Sequence, residues 1–268
     1  MLRVGVIGCG TIGGEICLAI DSGQVQAELV GIHDVMATAT ERLARRLRQA
    51  PPVLSQEEVI DAADLVVEAT SRDVAPGIIR AALGHGRDIM VMSVGGLLGC
   101  LDDALALAKS GNRHIYVPTG AIAALDAVKG AAVATVSRVT LTTRKPPQAL
   151  AGAPFVVNNQ INLEGFREPT VIFTGSAAEA VPAFPANVNV AAALSLAGIG
   201  PQRTQVRVIA DPTCDRNIHE IEMEGSFGRM VARMENVPSP NNPKTSYMAS
   251  LSAIALLRRL TAPLVIGT

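Results

Sequence analysis

Within its first dozen residues the chain closes off most of the folds otherwise open to it. An apolar run, Arg3-Val4-Gly5-Val6-Ile7, leads into Gly8-Cys9-Gly10-Thr11-Ile12-Gly13, and Gly14-Glu15-Ile16-Cys17-Leu18 carries on with helical spacing. A strand that breaks on glycines and restarts as a helix gathers backbone N–H groups at the positive end of a helix dipole, which suits a phosphate. Gly8 permits the tight turn, Gly10 lets a pyrophosphate approach the backbone, and Gly13 lets helix pack on strand. An acid, Asp34, follows about 20 residues further on, just past a second apolar run. A carboxylate there accepts hydrogen bonds from an adenosine ribose and repels a 2′-phosphate. The expected nucleotide contacts are therefore Gly8, Gly10, Thr11, Ile12, Gly13 and Asp34. NAD is favoured over NADP, although Arg42 and Arg45 on the next helix keep NADP open. The plain alternative is a glycine turn with no cofactor.

The pattern that follows supports the nucleotide reading. Short apolar runs at 3–7, 29–33, 65–69, 89–93 and 114–117 alternate with helical stretches near 13–21, 38–49, 74–84 and 101–110. Near-continuous apolar strands separated by helices predict a parallel sheet covered on both faces, an α/β doubly wound arrangement of Rossmann type. Ser71 and Ser93 fall near the carboxyl ends of the third and fourth strands, the edge where such sheets bind ligands. After Val117 the strands alternate apolar and polar residues, at 139–143, 204–209, 218–224 and 227–234, and predict a mixed or antiparallel sheet against helices. A buried helix is expected over 190–198 and a final helix over 245–260, separated from the sheet by a Pro- and Asn-rich loop at 237–243. The predicted organisation is a nucleotide domain (1–118), a smaller α+β domain (119–243), and a C-terminal helix (244–268) returning to the first domain.

Composition narrows the function. The formal net charge of −1 removes the basic surplus of an electrostatic nucleic-acid binder, and 3% aromatic residues leave little for base stacking. The uncharged stretch between Glu179 and Arg203 is broken by prolines, so no membrane span is expected, and no signal peptide is read at the N-terminus. The cysteines (Cys9, Cys17, Cys100, Cys214) form no CxxC pair, so neither structural zinc nor a disulfide framework is expected, and the setting is read as a reducing cytoplasm.

Five further segments occur in order. They are Pro118-Thr119-Gly120-Ala121-Ile122-Ala123-Ala124-Leu125-Asp126, Thr143-Arg144-Lys145-Pro146-Pro147, Phe184-Pro185-Ala186-Asn187-Val188-Asn189-Val190-Ala191-Ala192-Ala193-Leu194, Asn217-Ile218-His219-Glu220-Ile221 and Asn242-Pro243-Lys244-Thr245-Ser246. Together they resemble the L-aspartate dehydrogenase family over essentially the whole chain, with Thr119 standing where a serine would be expected. The resemblance implies oxidation of L-aspartate with NAD or NADP to iminosuccinate, which gives oxaloacetate and ammonia or feeds pyridine nucleotide biosynthesis. It also implies that His219 is catalytic and that Ala124 and Asn189 touch the cofactor.

Local chemistry leaves several of these roles open. On a strand, His219, Ile221 and Met223 share one face and Glu220, Glu222 and Glu224 the other. His219 is thus either a satisfied core histidine or a catalytic one with a pKa near neutrality. Asn189 also reads as a helix N-cap. A dicarboxylate needs cations, and Arg144, Lys145 and Lys244 are the candidates, each otherwise an exposed surface charge. No metal site is expected. A homodimer is expected from an exposed second-domain sheet. Two other functions stay open: a related two-domain NAD(P) oxidoreductase acting on a semialdehyde or cyclic imine, and a non-catalytic NAD sensor.

Overall fold

In a computed structural model, which describes residues 1–185 and 189–267 apart from the side chains of 243 and 244, the first part of the chain alternates strand and helix. β1 (Leu2–Ile7) leads to α1 (Thr11–Asp21), and β2 (Ala27–His33) to α2 (Ala37–Ala44) and α3 (Gln56–Ala62). β3 (Leu65–Glu68) leads to α4 (Ala75–Gly84), and β4 (Asp88–Val91) to α5 (Val94–Leu98) and α6 (Leu101–Gly111), before β5 (Ile115–Tyr116). The sheet order is β2-β1-β3-β4-β5 and every pairing is parallel. The order reverses between β1 and β3, so the loops after Ile7 and Glu68 flank the crevice where doubly wound sheets take ligands. All four residues of β3 are buried, as expected for a strand covered on both faces.

The second part has α7 (Leu125–Ala131), β6 (Val136–Lys145), α8 (Pro154–Asn158), β7 (Thr170–Ser176), α9 (Ala177–Ala183), α10 (Asn189–Ala197) and β8 (Thr204–Ala210). It continues with β9 (Asn217–Gly225), β10 (Gly228–Asn236), β11 (Pro238–Ser239) and β12 (Asn242–Ser246), and the chain ends in α11 (Tyr247–Thr261). Its main sheet runs β10-β9-β6-β8-β7, with β6 and β8 parallel and the other neighbours antiparallel. This is the mixed sheet expected from the alternating strands.

The chain divides into two units, Met1–Pro118 with Ala249–Ile266, and Thr119–Met248 with Gly267. The core of the first is aliphatic: Val4, Val6, Ile16, Ile32, Leu65, Val67 and Met90 cluster with Ala253 and Leu257 of α11. Burying a leucine contributes roughly 1.5–3 kcal/mol, so α11 is a structural part of this unit. The second unit gathers the rare aromatics. Phe155, Phe173 and Phe184 contact one another with ring centroids 5.2 to 5.5 Å apart.

Three expected elements differ. The helix over 38–49 ends at Ala44, because the Asp21 carboxylate accepts the N–H groups of Arg48 and Gln49, both at 2.9 Å, and draws the chain out of the helix. The final helix begins at Tyr247, since 242–246 is a strand, and the expected loop at 237–243 instead holds the β11–β12 hairpin. The short helices α3, α5, α7, α8 and α9 were not expected; of these, α3 and α9 open on capping boxes, Ser55/Glu58 and Ser176/Glu179, a pattern visible in sequence. No helix among the described residues is long and apolar enough to cross a membrane.

Candidate active site

In the first unit the glycine loop has the geometry its spacing requires. Gly8 has φ +101°, and a side chain there would run into the Ala69 carbonyl; one at Gly13 would strike the Gly8 carbonyl. These two glycines are fixed by close approach within the protein. Gly10 differs: a Cβ there would meet nothing within 4 Å, so its missing side chain leaves open space beside the start of α1. That opening at a helix N-terminus fits a pyrophosphate. No side-chain cap closes the helix end that Thr11 and Ile12 begin. Asp34, half-buried just past β2, accepts the N–H of Cys9 and of Met36, both at 2.8 Å, so it braces the glycine loop. Burial, with help from Asp34, pushes the Cys9 thiol up to about 12, which removes it as a nucleophile.

The two serines part company. Ser71 is exposed, and its carbonyl accepts the Ala75 N–H at 2.9 Å as α4 begins. Ser93 is buried: its hydroxyl donates to Glu68 Oε1 at 2.9 Å and its N–H to Oε2 at 3.0 Å.

In the second unit, register assembles a buried polar patch. Thr143 of β6 lies opposite His219 of β9, and their side chains hydrogen-bond, Oγ1 to Nδ1, at 3.1 Å. Both are buried among aliphatic neighbours such as Leu141, Ile221 and Met223. Lys145, two residues along the same face of β6, is 6% exposed. Burial pulls its pKa down to about 8. Burial, then the Lys145 charge, pulls His219 down to about 3. The sequence expectation of a near-neutral histidine therefore does not hold: desolvation disfavours the imidazolium, and His219 is neutral across the working range.

Arg144, by the same period of two, points to the opposite face. There it pairs with Asp211 at 2.9 Å and helps line an open polar cleft of about 570 Å³ with Asp215, Arg216, Arg233 and Glu235. It is not brought to His219. Burial pushes the Asp211 carboxyl up, but hydrogen bonds from Thr213 and Arg144 outweigh it and hold the group below its usual range. Along that face Glu220, Glu222 and Glu224 pair with Arg233, Arg229 and Arg138, so the acidic stripe is an ion-pair ladder rather than an acid/base pair.

Ala124 caps α7 in the left-handed region, φ 63° and ψ 21°, which costs a non-glycine residue roughly 1–2 kcal/mol. Such strain persists where surrounding structure enforces it, often at ligand sites. Asn236, buried at the end of β10, donates to the Ala121 carbonyl at 2.9 Å and pins the segment leading to Ala124. Asn189 is exposed and begins α10, next to residues 186–188 that lie outside the described ones. The Lys244 side chain lies outside the described residues. Among the described residues no three His, Cys, Asp or Glu side chains gather to hold a metal.

Thr143, Glu68 and Asn236 escaped sequence reasoning because a partner of each, His219, Ser93 and Ala121 respectively, lies far along the chain, even though Glu68 also accepts from nearby Thr70. Thr143 had one available signal: it stands in the quoted Thr143–Pro147 segment, on the face of β6 that carries Lys145.

Comparison with known proteins agrees with both regions. Residues 8–118 match the family described as homoserine dehydrogenase, NAD binding domain, and residues 126–260 match aspartate dehydrogenase, C-terminal. The chain is 51% identical to an L-aspartate dehydrogenase of Methanosarcina mazei, with all of both chains covered. It is 44% identical to one of Bradyrhizobium diazoefficiens, covering all of this chain and 94% of the relative. The fold matches a crystal structure of aspartate dehydrogenase from Thermotoga maritima, with a TM-score of 0.79, 23% identity and full coverage of both. A myo-inositol dehydrogenase from Corynebacterium glutamicum shares it more loosely, with a TM-score of 0.55, 16% identity and coverage of 97% of this chain and 86% of that one. Fold alone thus spans different substrates, and the sequence match decides: this chain belongs to the L-aspartate dehydrogenase family.

Proposed function

We propose that this protein oxidises L-aspartate to iminosuccinate with NAD, water then giving oxaloacetate and ammonia. The observation that carries this reading is the buried Thr143–His219–Lys145 face, in a chain that belongs to this family end to end. The glycine loop, the open space at Gly10 and Asp34 fit a dinucleotide. When bound, the nicotinamide supplies a hydride acceptor for the substrate α-carbon. Asp34 supports NAD over NADP, because a 2′-phosphate beside its carboxylate would be repelled.

The protein's own residues bind and orient the substrate and handle its protons. In this reading Lys145 holds a substrate carboxylate as a point charge, and its burial supports that role because the attraction is then weakly screened. Thr143 fixes the His219 ring through Nδ1 and leaves Nε2 for the substrate side. If Nδ1 carries the proton and donates to Thr143, Nε2 is a lone-pair acceptor that can take a proton from the water adding to the imine. A dicarboxylate entering beside the pair stabilises positive charge on both, raising the basicity of His219 when substrate is present. A histidine that is neutral when empty and more basic when filled keeps its lone pair free of solvent protons until substrate arrives.

The test is His219→Ala, with turnover and nucleotide affinity measured together. Aspartate-dependent reduction of NAD should fall by about 10²–10⁴-fold, while NADH affinity stays within about twofold. Unchanged turnover would remove His219 from the chemistry. A wild-type protein that binds NADH tightly yet never reduces NAD with aspartate would instead support a nucleotide sensor. The cytoplasmic setting and a homodimer belong to the same reading, and sedimentation of the purified protein tests the dimer.

A further inference from the structure

Glu68 ends β3 at the edge that faces the crevice and is 0% exposed. A buried carboxylate is costly unless several donors surround it. Glu68 has four. Oε1 accepts the Thr70 N–H at 2.7 Å, the Thr70 hydroxyl at 2.7 Å and the Ser93 hydroxyl at 2.9 Å, and Oε2 accepts the Ser93 N–H at 3.0 Å. Each donor belongs to a loop that leaves the sheet: Thr70 to the one after β3, Ser93 to the one after β4. The same two loops touch again further out, since a side chain on Gly96 of α5 would come within 2.5 Å of the Arg72 carbonyl and 3.1 Å of the Ala75 Cβ.

We infer that Glu68 is a positioning residue for the nicotinamide half of the cofactor, its carboxylate clamping the loops after β3 and β4 into one wall of the nucleotide crevice. This rests on the dinucleotide reading above. In a doubly wound sheet the two halves of a dinucleotide lie on either side of the switch point. Here Asp34, past β2, marks the adenosine side, and the other half falls over β3 and β4, where the clamp sits. The glycine loop lies beside the Thr70 N–H as well, but it keeps an anchor outside the clamp: Ala69, against which Gly8 packs, is held by its own N–H bond to the Ile7 carbonyl at 2.8 Å. Ser93 changes role accordingly. Its hydroxyl proton and its N–H are both given to Glu68, so it acts through the wall rather than as a donor to the cofactor.

Glu68→Gln keeps the volume but replaces one acceptor oxygen with an NH2 group. With its single oxygen on the Thr70 side, the amide faces the Ser93 N–H donor to donor, and the β4 loop comes loose. Binding of NADH and of ADP to the full-length protein, with thermal melting alongside, separates the possibilities. NADH affinity should fall about tenfold, the loss of one charge-assisted hydrogen bond. ADP, which reaches only the adenosine and pyrophosphate side, should bind within about threefold of wild type. Equal losses for both ligands would show a general structural role and overturn the inference, as would unchanged NADH binding in a folded variant. If Glu68→Gln does not fold, Ser93→Ala and Thr70→Val each remove one hydroxyl donor, and the NADH-specific loss should persist at about threefold; its absence in both overturns the inference. Wild-type protein that binds neither ligand would instead bring down the dinucleotide reading itself.

Discussion

The two units build their chemistry from different materials. The nucleotide edge of the first is mostly backbone: glycine positions, a helix end and N–H groups, braced by Asp34 and Glu68. The patch in the second is side chains, with Thr143, His219 and Lys145 delivered by the β6–β9 register. A backbone site is written in consecutive residues and tolerates most side-chain changes around it. A side-chain site depends on a pairing tens of residues away and should fail one substitution at a time. Asp34 is the informative exception, a side chain on which the backbone site leans twice.

The sharpest way to break that contrast is Lys145. Lys145→Met should raise KM for aspartate by about 10–100-fold, the worth of a charge-assisted hydrogen bond, and leave NADH affinity alone. Its pH dependence has a definite sign. With a pKa of about 8, the ammonium is present below pH 8 and lost above it, so wild-type KM should rise as the pH passes 8. Lys145→Arg, whose cation does not titrate there, should lack that rise if it binds at all. A pH-independent wild-type KM would detach Lys145 from the substrate.

On the other side of the comparison, Asp34→Ala removes the acceptor for Cys9 and Met36 as well as the proposed ribose contact. NAD affinity should drop about tenfold, and the preference over NADP should narrow; steady-state kinetics with both nucleotides read this directly. Thr143→Val, nearly isosteric, takes away only the hydrogen bond that holds the His219 ring. A loss of about fivefold in kcat, little change in KM, and recovery in Thr143→Ser are expected. Equal damage in the Ser and Val variants would point to packing instead.

A further test concerns stability. His219 has a folded pKa of about 3 against an ordinary 6.5, so the unfolded chain binds the proton more readily. The folded state is therefore favoured above pH 6.5, and that contribution is lost as the pH falls from 6.5 toward 3. His219→Gln should flatten this part of the acid-denaturation curve; an identical curve would mean the imidazole is not held neutral by burial.

Sequence carried the first unit further than the second for the same physical reason. Gly8, Gly10, Gly13 and Asp34 are legible because their spacing is itself a recognisable motif, even though Gly8 packs against distant Ala69 and Asp34 accepts from Cys9. Period two correctly put His219 with Ile221 and Met223, yet could not say that Thr143 would stand opposite it. The same period, applied to β6, would have separated Arg144 from Lys145, whereas chemistry alone groups them as cations. Asp21 reaching across to stop α2 at Ala44, and the Asn242–Ser246 strand ahead of α11, depend on tertiary partners that no local propensity encodes.

One assay tests oxidation of L-aspartate most directly: appearance of reduced nicotinamide with the wild-type protein, each nucleotide, and L-aspartate, homoserine or a cyclic imine as substrate. Reduction with L-aspartate alone, faster with NAD than with NADP, is expected. Nucleotide binding without any response to aspartate, or a faster reaction with one of the other substrates, would contradict it.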